Sequence, residues 1–167
     1  MKIIKNKERG MTLIELIVAI GIFGLVSLVI FGIFILATGY QRRIIAFKNV
    51  EDNLRFSIES MAREIRTGKD FNDGGNELKF TNAKGDKIIY RLNNGIIQKS
   101  SNDGISYLDI TGTDTAIDYL TFSLMGQTPN DNAQPRITIT IGATSKVGAQ
   151  SSNLKVQTTV SSRLLQN

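Results

Sequence analysis

The sequence predicts an α+β chain in which one long N-terminal helix packs on an antiparallel β-sheet head. Three observations predict it. Residues 16–40, from Leu16 to Tyr40, hold no charged side chain, a run of 25. The next stretch, to Arg66, lacks proline and repeats apolar residues at steps of three and four. Beyond Gly68 the apolar period becomes two, the spacing of strands that bury one face.

The 167 residues divide into four parts: a leader (1–10), an apolar half-helix (11–40), an amphipathic half-helix (41–67) and a sheet head (68–167). Lys2, Lys5, Lys7 and Arg9 against Glu8 give the first ten residues +3 of the formal +5, so the mature remainder carries only +2. Positive charge before an apolar span is kept on the cytoplasmic side, which places the head outside. The chain has neither Cys nor His. A disulfide scaffold is thereby excluded, as are Ser-His-Asp and Cys-His catalytic sites and the commonest metal ligand.

The uncharged run has the length of a membrane span. An ordinary secretory signal has an apolar stretch of about 7 to 15 residues with its cleavage site on the far side. This run is longer and no A-x-A closes it. Any cut therefore precedes the apolar helix.

The residues at that junction are Gly10-Met11-Thr12-Leu13-Ile14-Glu15-Leu16-Ile17-Val18-Ala19. A small residue separates the basic leader from the apolar run, and one carboxylate stands a turn inside it. This resembles the prepilin motif of type IV pilins and type II secretion pseudopilins. The resemblance implies that a membrane aspartyl peptidase cuts between Gly10 and Met11 and that Met11 becomes N-methylated. It also implies that Glu15 pairs with the N-terminal amine of a neighbouring subunit, neutralising both charges in lipid and setting the axial register. An intramembrane carboxylate costs about 2.5 to 3.5 kcal/mol at a span centre and less near an end, so Glu15 calls for a partner. The same residues fit a capping box, T-x-x-E, with Thr12 as N-cap and Glu15 reaching back. The two readings are compatible in one subunit.

Past the span, Ile44, Phe47, Val50, Leu54, Ile58, Met61 and Ile65 fall on one stripe of an amphipathic helix. Glu51 with Arg55 and Glu59 with Arg63 are spaced as i,i+4 pairs, and Gly68 is the expected stop. Continuous helix from Thr12 to Arg66 would span about 80 Å at 1.5 Å per residue. Gly21, Gly24, Gly32 and Gly39 suit close helix packing in lipid. Arg42 and Arg43 are placed to snorkel to headgroups.

In the head, strands are expected over 77–81, 87–92, 96–99, 116–124, 136–142 and 154–164, with a hairpin turn at Asn93-Asn94-Gly95. The stretches 53–66 (NLRFSIESMAREIR) and 157–163 (QTTVSSR) resemble the J-type minor pseudopilins and related minor pilins. Asp70, Asn72 and Asp73, and separately Asn102 and Asp103 before Gly104, have calcium-ligand chemistry but not EF-hand spacing, and such clusters are ordinary turns. Arg136 and Arg163 read as solvated charges or as partners of carboxylates. No metal or other cofactor is expected.

The function implied is structural: a minor pilin or pseudopilin subunit joining or priming a filament near its tip. Other subunits contact it through the N-terminal helix, and the prepilin peptidase and an inner-membrane assembly platform process and move it. Its retained Glu15 places it beneath at least one other subunit. Pilus, competence and type II secretion machines share this leader. Two alternatives remain. An anchored enzyme or binding module would need paired carboxylates or a Ser-Lys arrangement, and no spacing singles out either. A DNA receptor would need a basic groove with stacking aromatics, which a mature charge of +2 opposes.

Overall fold

A single helix, α1 (Leu13–Arg66), opens the computed structural model, which describes residues 10–72, 74–126 and 134–163. The leader charges Lys2, Lys5, Lys7, Glu8 and Arg9, together with Asp73 and Leu164, lie outside the described residues. Residues up to Gln41 form one compact unit and Arg42–Asn167 another. α1 passes through Gly21, Gly24, Gly32 and Gly39 without a break in its helical assignment. These glycines meet no neighbour that an added Cβ would touch.

Within the second unit α1 buries Ala46, Val50, Leu54, Ser57, Met61 and Ile65. This arc is rotated by about 45° from the expected stripe, at 100° per residue. Ile44 (58% exposed) and Phe47 (43% exposed) therefore stay outside, and Ile58 is only half-buried. The small Ala46 and Ser57 take the buried positions instead. Ser57 satisfies its hydroxyl within the helix, donating to Asn53 O at 2.8 Å. The ion pair formed on the wet face is Arg55 with Glu59 (3.6 Å), not either expected pair, and its exposure makes it worth little.

Gly68 stands two residues past the end of α1 at Arg66, and it is glycine for a reason the sequence did not show. Its φ is not positive, so it is no left-handed cap. A Cβ there would stand 2.6 Å from Cδ2 of the buried Phe80 ring. The glycine is required by close approach.

The head holds two antiparallel sheets where one was expected. The first has five strands in sequential order, β1 (Lys69–Asn72), β2 (Glu77–Thr81), β3 (Lys87–Asn93), β4 (Ile96–Ser100) and β5 (Leu108–Asp109). The second is a meander of β6 (Thr115–Met125), β7 (Arg136–Val147) and β8 (Gln150–Ser161). The division falls at the connection between β5 and β6. An isolated antiparallel bridge, Gly75 with Phe122, stitches the sheets, with N–H to O distances of 2.8 and 2.7 Å. β1 and β5 are short and lack alternation, so the period-two reading missed them. β7 and β8 run longer than expected because the polar residues at their hairpin end still pair in register down to Val147 with Gln150.

The expected hairpin turn joins β3 to β4, with Asn94 at φ 49° and Gly95 at φ 75°, the pair of positive values a type I′ turn needs. Alternation along β7 buries Ile137, Ile139 and Ile141 in the same core cluster as Leu54, Met61 and Ile65 of α1. Phe71, Phe80 and Tyr90 stack in series within it, with centroids 5.4 and 6.2 Å apart. Burial of such aromatic and aliphatic area drives the docking of helix on sheets.

Candidate functional site

The candidate site is the first turn of α1. Thr12 caps it: its Oγ1 accepts the Glu15 N–H at 3.3 Å, and its carbonyl accepts the Leu16 N–H at 3.2 Å. Glu15 closes the box from the other side. Its Oε2 accepts the Thr12 N–H at 3.3 Å and the Thr12 hydroxyl at 3.4 Å. A carboxylate in a first turn also faces the positive end of the helix dipole. The capping box of the sequence is thus built, and it uses one oxygen of Glu15; Oε1 takes no bond among the described residues.

Gly10 and Met11 precede this box. A Cβ on Gly10 would meet nothing within 4 Å, so the fold of the described chain does not ask for glycine there. Both box residues lie after the Gly10–Met11 bond, so a cut at that bond leaves the box whole. Beyond it, α1 is long and apolar enough to cross a membrane, and its most apolar stretch is wholly unburied in the chain. Leu16, Ile20, Phe23, Ile30 and Phe34 are among its exposed large side chains. The span expected from Leu16 to Tyr40 is helical throughout.

Residues 5–31 match the family described as the prokaryotic N-terminal methylation motif. The chain carries a prepilin methylation motif. Neither a curated protein nor a solved structure matches it. The match covers the motif alone; the apolar helix with antiparallel sheets packed on it gives the chain a pilin-like α+β fold. The matched residues cover Gly10, Met11, Thr12 and Glu15 and stop short of 53–66 and 157–163, so the J-type likeness gains nothing from the match.

In the head, the polar side chains that sequence reasoning passed over are structural ties. Glu64 accepts the Tyr90 hydroxyl at 2.8 Å and is also bonded by the Lys99 ammonium. Burial first, and then the Glu64 carboxylate, push the Tyr90 phenol well above its ordinary range. Asn53 accepts the Gly112 N–H at 2.8 Å and donates to Thr115 Oγ1 at 3.2 Å, fastening the 112–115 turn to α1. Asn53 and Glu64 stand eleven residues apart, about 20° around a helix. That shared edge, bordering the buried arc, was the signal available.

The remaining candidates are engaged elsewhere or stand alone. Asn102 builds a turn, accepting the Ser100 hydroxyl and the Ser106 N–H, and Asp103 pairs with Lys87 at 2.9 Å. Asp70 adopts φ 55° at the start of β1. Arg136 and Arg163 have no ion-pair partner among the described residues. Arg163 lines a cleft of about 420 Å³ with Arg63 and Arg66. Most aromatics of the head are in the core, and Tyr107 lies under the Arg91 guanidinium at 3.4 Å.

Proposed function

We propose that this chain is a structural minor pilin or pseudopilin subunit, cut between Gly10 and Met11, N-methylated at Met11 and assembled through α1 into a filament. The observation that carries this reading is the placement of Glu15 on a capped first turn, five residues past a glycine the fold does not need, within a methylation motif. Cleavage creates an ammonium at Met11. The Glu15 Oε1 left unused by the cap is the acceptor offered to the amine of an adjacent subunit, and the ion pair so formed removes two charges from lipid.

The membrane would hold α1 until assembly, with the leader inside and the head outside, and a filament would take it afterwards. The peptidase and an inner-membrane platform are the partners this life cycle requires. A position near the filament tip, beneath one further subunit, is supported by the retained Glu15 and by the J-type likeness of 53–66 and 157–163. The reading involves no catalysis by the head and no cofactor.

Intact-mass analysis of the chain from cells that contain the prepilin peptidase tests it. The expected species begins at N-methylated Met11. A chain still beginning at Met1 overturns the reading.

A further inference from the structure

α1 leaves its uncharged run at Tyr40, and Arg42 and Arg43 follow at once. The side chain of Arg42 does not stand alone. It lies across the turn that joins β7 to β8: a Cβ placed on Gly148 would be 3.3 Å from Arg42 Nη1 and 3.8 Å from its Cδ. A turn more than a hundred residues later in the chain is thereby held against the residue that opens the second unit. Lys146, Gly148 and Ala149 of that hairpin end are exposed.

Cations outnumber acids around this contact, although the Asp118 carboxylate accepts the Thr144 hydroxyl at 2.9 Å, two residues before Lys146. Residues 42–50 contain Arg42, Arg43 and Lys48 and no carboxylate; residues 134–163, which include all of β7 and β8, contain Arg136, Lys146, Lys155 and Arg163 and no carboxylate. The head's acids are on α1 from Glu51 onward, on the strands and turns up to Asp118, and at Asp131. Beside the cations, Ile44 and Ile45 are 58% and 49% exposed. Apolar side chains next to Lys and Arg, immediately after a span, are the composition of a headgroup-level surface. Two arginines on the translocated side also run against the positive-inside preference, so a favourable contact there offsets a topological cost.

We propose that the β7–β8 turn and the first turn of the head helix together form a contact surface for anionic phospholipid headgroups, through Arg42, Arg43 and Lys146. Each cation near such a surface gains electrostatic attraction that salt screens. The contact holds this end of the head at the bilayer surface while the chain resides in the membrane, and it is given up on extraction. This rests on the membrane-anchored reading above.

The absence of native cysteine gives a clean test on the full-length chain. Ala149→Cys and, as reference, Lys84→Cys carry an environment-sensitive fluorophore; Lys84 lies in the β2–β3 turn, at the sheet end where Thr81 pairs with Lys69. The chain is reconstituted into vesicles of phosphatidylcholine, alone or mixed with phosphatidylglycerol. Quenching by headgroup-labelled lipid is expected to be strong at 149 and weak at 84, to rise with phosphatidylglycerol and to fall with salt. Arg42→Gln with Lys146→Gln is expected to lower that lipid contact about tenfold. Equal access of aqueous iodide to both labels overturns the proposal. So does a lipid contact indifferent to phosphatidylglycerol. A chain that fails to float with vesicles refutes the anchored reading itself, whereas one that floats with an iodide-open 149 refutes only the contact surface.

Discussion

The phenol of Tyr90 on β3 donates a 2.8 Å hydrogen bond to the Glu64 carboxylate of α1, and the Lys99 ammonium of β4 meets the other oxygen of the same carboxylate. One helix residue is thus tied to two neighbouring strands at the edge of the core. Tyr90 itself is fully buried. The tie orients α1 on the first sheet where apolar packing alone would allow sliding.

This relationship sets an alkaline limit on stability. The unfolded phenol ionises near pH 10, whereas the folded one holds its proton above that value. Above pH 10 the unfolded state therefore binds fewer protons, and stability falls by up to about 1.4 kcal/mol per pH unit from this group. Denaturant titrations of the full-length chain in detergent, from pH 8 to about pH 11, are expected to show that added slope. Tyr90→Phe should remove it while costing about 1 kcal/mol at neutral pH.

Thr12 and Glu15 separate capping from charge pairing. Glu15→Gln keeps an N3 side chain that can complete the box but removes the negative charge. Thr12→Ala removes the cap, at about 0.5 to 2 kcal/mol, and keeps the charge. If the amine of a neighbour is the partner of Glu15, Glu15→Gln loses filament incorporation while Thr12→Ala retains it. Immunoblots of sheared filaments from cells expressing each variant read the difference. The reverse ranking would assign Glu15 to the helix alone.

Gly10 and Gly68 answer to different constraints. Gly10→Val is expected to block leader removal, read by intact mass, with the melting curve unchanged, because a side chain there meets nothing in the fold. Gly68→Ala is expected to leave processing intact and to destabilise the head by about 1 to 3 kcal/mol, since its Cβ would overlap the buried Phe80 ring.

Asn53 fastens the turn that leads into β6. Asn53→Leu leaves the Gly112 N–H and the Thr115 hydroxyl without their partner, and a loss of about 1 to 3 kcal/mol is expected. Faster amide exchange at Gly112, against an unchanged rate at Ile139, would localise the effect.

The sequence by itself determined the elements whose cause is local. An uncharged run of bilayer length, the Thr12–Glu15 box, the Asn94-Gly95 turn and the strict alternation of Ile137, Ile139 and Ile141 each follow from spacing within a few residues, and each is found. Only the tertiary structure decided what depends on residues far apart. The buried face of α1 takes in the small Ala46 and Ser57, which the pattern of larger apolar residues left out. The split into two sheets turned on where β6 turns away from β5. The short strands β1 and β5 exist because longer neighbours supply their hydrogen-bond partners, and Gly68 is held by a ring twelve residues away. The Tyr90–Glu64–Lys99 tie and the seat of Arg42 on Gly148 join segments whose spacing carries no pattern. Local periodicity records which face is apolar; which part of that face is covered is set by the volumes and backbone approach of its partners.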